Sequence, residues 1–296
     1  MQSIRAQKDG RLFDMINYFL LFLILIVILY PLLYIISASI SNPGKVISGE
    51  MWLFPKDMTL NSYYKIFQNQ DIMRGYWNTI LYTAVGTSIN IAMTVCAAYP
   101  LSQRDFLGRN AITFYIMLTM FFSGGLIPTY LLIKQLGMLN SFWVMVIPNA
   151  VAVWHIIIMR TFFQQSIPNE LHEASSMDGC SHFQMLFRII LPLSLPVLAV
   201  MVLFYSVSHW NAYFNALLYL SDRSRYPLQL FLREILIQSE VQDMVQSDAS
   251  SLHEQMLQKE GIKYAIIMVA NLPMLLLYPF LQKYFVKGML VGAIKG

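Results

Sequence analysis

Glu173-Ala174-Ser175-Ser176-Met177-Asp178-Gly179, followed at fixed distance by Ile189, Leu191 and Pro192, is a polar stretch set between two long apolar segments. Just upstream, Ser166-Ile167-Pro168-Asn169-Glu170-Leu171 puts a proline before an acidic residue, which suits a helix start. A helix from Asn169 to Asp178 then stacks Leu171, Ala174, Ser175 and Asp178 along one side at i, i+3, i+4 and i+7. Ala174 and Ser175 are small, so that side admits close approach of another surface. Gly179 ends the helix in the left-handed conformation that glycine favours, and Ser181 with Gln184 reads as a capping box opening a second helix. Leu191-Pro192 marks entry into the next apolar segment. Two short helices joined at a glycine form a rigid knob suited to docking a soluble partner; the plain alternative is an ordinary helix-turn-helix connection.

The rest of the chain is mostly apolar. Of its 296 residues 57% are hydrophobic and only 12% charged, with a mean hydropathy of +0.53. A soluble domain carries roughly a quarter charged residues. Several apolar runs reach the ~20 residues that cross a hydrocarbon core of roughly 30 Å, so the fold class is all-α, a polytopic membrane protein. The net charge of +4 needs no nucleic acid to explain it, and Cys96 and Cys180 imply no disulfide framework. The first apolar run, Met15 to Ile40, far exceeds the ~7–15 residues of a signal-peptide core and reads as a retained helix.

Six spans are expected, at 15–40, 77–100, 111–133, 138–159, 192–218 and 264–284, with Tyr30, Trp77, Tyr99, Trp143, Trp210, Tyr264 and Tyr284 near their ends as interfacial belts. An even count puts both termini on one side. Cytoplasmic termini place Arg5, Lys8, Arg11, Arg104, Arg109, Arg160, Arg188, Lys283, Lys287 and Lys295 inside, ten of the 20 basic residues. The totals balance, but charge near span ends and in short loops decides orientation. There Arg104 and Arg109 crowd one tight turn, against Lys134 alone on the short outer turn. Gly124-Gly125 with Pro128 marks either a break in the third span or close packing.

The long segments 41–76 and 219–263 then lie outside. The second carries Leu228, Phe231, Leu232, Ile235 and Leu236 at helical spacing, either a helix on the membrane surface or a docking surface for an extracytoplasmic partner. His155 and His209 are the only titratable residues other than Tyr and Cys in the expected bilayer interior. Ion-coupled carriers bury acids or bases as relay sites, so this pattern argues against proton coupling by the chain itself. Gly44-Lys45 lacks the remaining phosphate-loop residues, and His172-Glu173 and His253-Glu254 lack the second histidine of a zinc protease. The rival reading is a stand-alone secondary transporter or channel for a small polar solute; a membrane-anchored scaffold is a third.

At Glu173, Ala174, Gly179, Ile189, Leu191 and Pro192 the chain resembles the permease subunits of ATP-binding-cassette importers, whose signature is Glu-Ala-Ala, three residues, Gly, nine residues and Ile-x-Leu-Pro. Ser175 stands for the second alanine, and Asp178 before the glycine is also typical. The resemblance covers nearly the whole chain and points to the carbohydrate branch, the MalG-type permeases. It is carried by Leu60-Asn61-Ser62-Tyr63-Tyr64, Trp77-Asn78-Thr79, Gly125-Leu126-Ile127-Pro128-Thr129-Tyr130, Leu136-Gly137-Met138-Leu139-Asn140 and the tail Gln282 to Gly296. The long fifth-to-sixth loop is most similar to that of permeases for complex saccharides, the LplC/YtcP-like group.

This resemblance implies the type I importer transmembrane fold. The expected layout is a cytoplasmic segment 1–14, a first helix 15–40, an extracytoplasmic loop 41–76, a core permease domain 77–284 holding the coupling loop 160–191 and the outer loop 219–263, and a cytoplasmic tail 285–296. It implies a bacterial cell membrane location, a second homologous permease and a dimeric cytoplasmic ATPase. It also implies an extracytoplasmic solute-binding protein and a saccharide substrate. The chain is expected to be non-catalytic and to bind no cofactor, ATP and Mg being used by the ATPase. Leu171, Glu173, Ala174, Ser175, Asp178, Gly179, Ile189, Leu191 and Pro192 are the expected coupling residues, and Lys295-Gly296 the part of the tail expected to reach the ATPase. Saccharides are held by aromatic faces and by amide or hydroxyl groups, which makes Asn149, Trp154, Trp210, Asn211, Tyr213, Phe214 and Asn215 the candidate pathway residues, with His155 beside Trp154. Helix–helix hydrogen bonding or an interfacial belt is the competing reading of the same residues.

Overall fold

The computed structural model describes residues 2–244, 260–279 and 282; the tail 285–296 and the middle of the loop 219–263 lie outside the described residues. No strand occurs among the described residues. The chain divides into two units, Met1–Asn69 with Leu232–Asn271, and Gln70–Phe231 with Leu272–Gly296.

In the first unit α1 (Gln2–Ile40) presents residues 13–33 of its apolar stretch exposed, as a lipid-facing helix does. Its end packs on the loop after it: Ala38, Val46 and Met51 form a small core with Tyr34. The Asn42 side chain caps α2 (Pro43–Ile47) by accepting from the Gly44 N–H at 2.9 Å, and α3 (Asn61–Gln68) follows.

The second unit is built on α4 (Gln70–Ser102). After it come α5 (Arg109–Phe121), α6 (Leu126–Gln135), α7 (Val153–Ser166), α8 (Asn169–Met177), α9 (His182–Met185), a π-helical turn Leu186–Ile190, α10 (Leu191–Leu193), α11 (Leu195–Trp210) and α12 (Phe214–Tyr219). The next helix, α13 (Leu228–Met244), starts on buried Leu228, Leu230 and Phe231, and α14 (Glu260–Pro279) is the last described. In the first unit Tyr264 of α14 meets Tyr34 edge-on, ring centroids 5.9 Å apart.

Packing of α4 against α7 and α11 organises two apolar cores. One, toward the C-terminal end of α4, joins Val95, Ala98, Tyr99 and Leu101 to Met159, Phe163, Met185 and Met201. The other, toward its N-terminal half, joins Tyr82 to Val144, Val146, Tyr219 and Leu220. On that side Asn140 accepts from the Ser221 and Asp222 N–H groups, and hydrogen bonds from Ser224 hold the Asp222 carboxyl below the usual carboxylate range.

Among the described residues three helices are long and apolar enough to cross a bilayer: the Phe13–Ile40 part of α1, α4 and α14. Two bent pairs bring the number to five, Arg109–Phe121 with Leu126–Gln135 at 111° and His182–Leu193 with Leu195–Trp210 at 81°. The Gly124-Gly125 region is therefore a break in the expected third span, not a site of close packing. The expected fourth span, 138–159, is not one helix. Phe142–Met145 is a 3-10 turn, residues 146–152 are non-helical, and the helix begins only at Val153. Pro148 has no N–H for a helix interior. The non-helical carbonyl of Asn149 is instead satisfied by the Asn90 amide at 2.6 Å, as backbone at membrane depth requires. Length and composition thus identify three to five spans among the described residues, where six were expected.

Candidate functional site

The knob has the expected form. α8 covers Asn169–Met177, one residue short of the expected end, and the Cys180 N–H closes on the Ser175 carbonyl at 3.0 Å. Gly179 between them has φ +74°, a left-handed turn that a side chain would strain. Ser181 and Gln184 form the reciprocal capping box: the Gln184 N–H donates to Ser181 Oγ at 3.3 Å and the Ser181 N–H to Gln184 Oε1 at 3.0 Å. Ser175 is buried, its hydroxyl donating to the Leu171 carbonyl at 2.6 Å. A larger residue there would lift α8 off its seat.

The knob is anchored from beneath by Phe163, Ile167, Met185, Leu186 and Ile190 on the Tyr99 core, with Ile189 and Leu191 packed against the same core. The Ile-x-Leu positions thus face the core rather than the outer surface of the knob; Pro192 is exposed at the bend into α11. The outer surface differs. Ala174, Asp178 and Glu173 are exposed, and Glu173 has no ion-pair partner among the described residues. Met177 and Phe183 are 89% and 76% exposed, with Phe187 exposed beside them. These three apolar side chains were missed from the sequence; the signal for them is large apolar residues in an otherwise polar loop.

Behind the knob opens a cleft of about 950 Å³ lined by Gln103, Arg104, Asp105, Arg109, Glu173 and His182. Arg109 donates to the Gln103 carbonyl at 3.3 Å and Arg160 to the Leu101 carbonyl at 2.9 Å. Burial, with the neighbouring Arg109 charge, pushes the Arg160 guanidinium below its usual range. The cationic turn and the knob are thus on one end of the second unit.

A second cavity, about 260 Å³, lies between α4, α7 and α11 and takes in Asn149 and Asn215 of the sequence candidates. The other candidates lie elsewhere. Trp210 is 3% exposed and packed edge-on against Tyr76 at 5.8 Å, and Asn211 donates to the Val207 carbonyl at 2.9 Å. Trp154, Tyr213 and Phe214 are exposed and do not line the cavity. What the sequence did not single out is Asn90, wholly buried, whose Oδ1 bonds His209 Nε2 at 2.6 Å. The His155 ring lies between Phe204, stacked at 5.6 Å, and Tyr205, edge-on at 4.5 Å. Its buried Nδ1 has no hydrogen-bond partner, a deficit of about 1–3 kcal/mol for an ordinary buried polar group. Tyr205 is fixed in turn by Thr94 at 2.7 Å. The two histidines of the expected bilayer interior are thus gathered on one cavity, with no Lys, Arg, Asp or Glu among its described lining residues.

Residues 72–291 match the family described as binding-protein-dependent transport system inner membrane component. Protein LplC of Bacillus subtilis is 41% identical over all of this chain and 99% of its own length. The polygalacturonan/rhamnogalacturonan transport system permease protein YtcP of the same organism is 40% identical over 97% of this chain and 99% of its own. Among solved structures, a chain of a bacterial ABC transporter involved in the import of the acidic polysaccharide alginate superposes with a TM-score of 0.83 at 33% identity, covering 93% of this chain and 97% of that one. With the bent helices, the knob in register and these likenesses over nearly its full length, the chain belongs to the binding-protein-dependent inner membrane components, as a multi-pass permease subunit of an ABC importer.

Proposed function

We propose that this permease forms half of the pathway of an ATP-driven importer of oligosaccharides or polysaccharide fragments, beside a second homologous permease. Its termini are cytoplasmic, and an extracytoplasmic solute-binding protein delivers the saccharide to its outer loops. The ATP and Mg chemistry belongs to a dimeric cytoplasmic ATPase that seats the knob. The saccharide class is supported by the names of the relatives, which include a polygalacturonan/rhamnogalacturonan permease and a transporter for alginate.

The observation that carries the coupling reading is the surface of the knob. Met177 and Phe183 are exposed on the same two short helices as Glu173, which is exposed and has no ion-pair partner among the described residues. Gly179 and the capping box hold these helices rigid. Apolar anchors beside one charge suit a groove with an apolar floor and a cationic rim. Closure of the ATPase dimer would push on the knob, and the core around Tyr99 would carry the push into α7 and α11.

Co-purification of the tagged chain with its partner permease and ATPase tests this. Wild type is expected to retain the ATPase, and Glu173→Lys and Gly179→Pro to retain at least ~10-fold less while staying in the membrane, about 1.4 kcal/mol or more of lost affinity. Equal retention by all three would reduce the knob to a connection.

A further inference from the structure

The cavity on α4, α7 and α11 contains groups already committed and groups still free. Asn90 is committed twice, donating to the Asn149 carbonyl at 2.6 Å and paired with His209 at 2.6 Å. That pair makes a fixed floor. Around it Asn149 and Asn215 carry side-chain amides, and Ser208 a hydroxyl, with no protein partner among the described residues; His155 adds its unpartnered Nδ1. Val151, Ala212 and Met145 supply apolar wall between them. Uncharged donors and acceptors around a small apolar surface match a ring that has hydroxyls on its edge and C–H groups on its faces. The volume, about 260 Å³, falls just under the roughly 300 Å³ at which small-molecule pockets begin, room for one ring and not for a chain.

Charge narrows the ligand further. No Lys, Arg, Asp or Glu is among the described residues lining the cavity. A carboxylate entering it would lose its hydration and meet no counter-charge, which is strongly unfavourable at membrane depth. We propose that Asn149, His155, Ser208 and Asn215, set over the Asn90–His209 pair, form a subsite for one uncharged sugar ring, so that this half of the pathway favours neutral over uronate saccharides. The proposal rests on the saccharide-importer reading.

The test uses the assembled complex of both permeases and the ATPase in nanodiscs, without the binding protein, so that only the pathway selects. Equilibrium dialysis measures binding of labelled raffinose and labelled digalacturonate. Wild type is expected to bind raffinose at least ~10-fold more tightly than digalacturonate. His155→Phe keeps the ring against Phe204 but removes the nitrogen, and is expected to weaken raffinose binding about 5- to 10-fold. His155→Gln, which restores a polar group, should recover most of that loss. Asn215→Lys supplies a cation and should narrow or reverse the preference. Tighter binding of digalacturonate to wild type, binding of neither sugar at millimolar concentration, or His155→Phe binding raffinose like wild type each overturns the subsite. If His155→Phe does not assemble, an unchanged preference in Asn215→Lys overturns it. Failure of the importer reading shows separately, as absence of the ATPase from the co-purified complex.

Discussion

Gly86 on α4 lies directly beneath the imidazole of His209. A Cβ built there would collide with His209 Nε2, the atom that bonds Asn90. The absence of a side chain at Gly86 is thus what lets α4 and α11 come close enough for the buried pair to form. Gly86→Ala is expected to displace the ring, break the bond and lower stability by about 1–3 kcal/mol. Thermal unfolding of the purified complex reads this, with Ser88→Ala, exposed on the same helix, staying within about 0.5 kcal/mol of wild type. An unshifted transition in Gly86→Ala would mean that the two helices do not approach as described. Residues such as these were not legible in the sequence. Gly179 and the Ser181–Gln184 box were, because their signals lie within a few positions of each other. Asn90 finds its partners 59 and 119 residues away, and no local pattern marks a residue whose bonds depend on how the helices pack.

Among the elements, those whose limits are set by local chemistry came out nearly as read: α8 ends one residue before the expected Asp178, and α9 starts on its capping box. The apolar spans came out differently. A hydropathy window records that a stretch is apolar and says nothing of whether its backbone is helical throughout. That is why 138–159 resolves into a turn, an irregular stretch and the start of α7, and why the π-helical turn Leu186–Ile190 had no signal. α9 is only four residues long and depends on its cap. Ser181→Ala is expected to cost about 1 kcal/mol. Amide exchange at 182–185 should then speed up about 5-fold, while exchange in α4 stays unchanged. Equal protection in both proteins would show that packing of Met185 and Leu186 alone holds the turn.

For the whole molecule, orientation is the outstanding expectation, and it rests on Arg104 in the turn between α4 and α5 and on Arg109 at the start of α5. In a background with Cys96 and Cys180 replaced by serine, Leu107→Cys lies in that turn and Lys56→Cys in the loop 41–76, both at exposed positions. A membrane-impermeant maleimide added to intact spheroplasts is expected to label Lys56→Cys and to reach Leu107→Cys only after lysis; the reverse pattern would invert the topology. Within the second unit, the 81° bend at Ser194 has a mechanical meaning. From Ser194 to His209 is 15 residues of helix, an arm of about 22 Å at ~1.5 Å per residue. A turn of only about 5° at the bend would swing the far end of such an arm by about 2 Å, more than a hydrogen bond at 2.6 Å tolerates. A small twist delivered at the knob would therefore act on the Asn90–His209 pair as a latch, held or released, rather than as a dial.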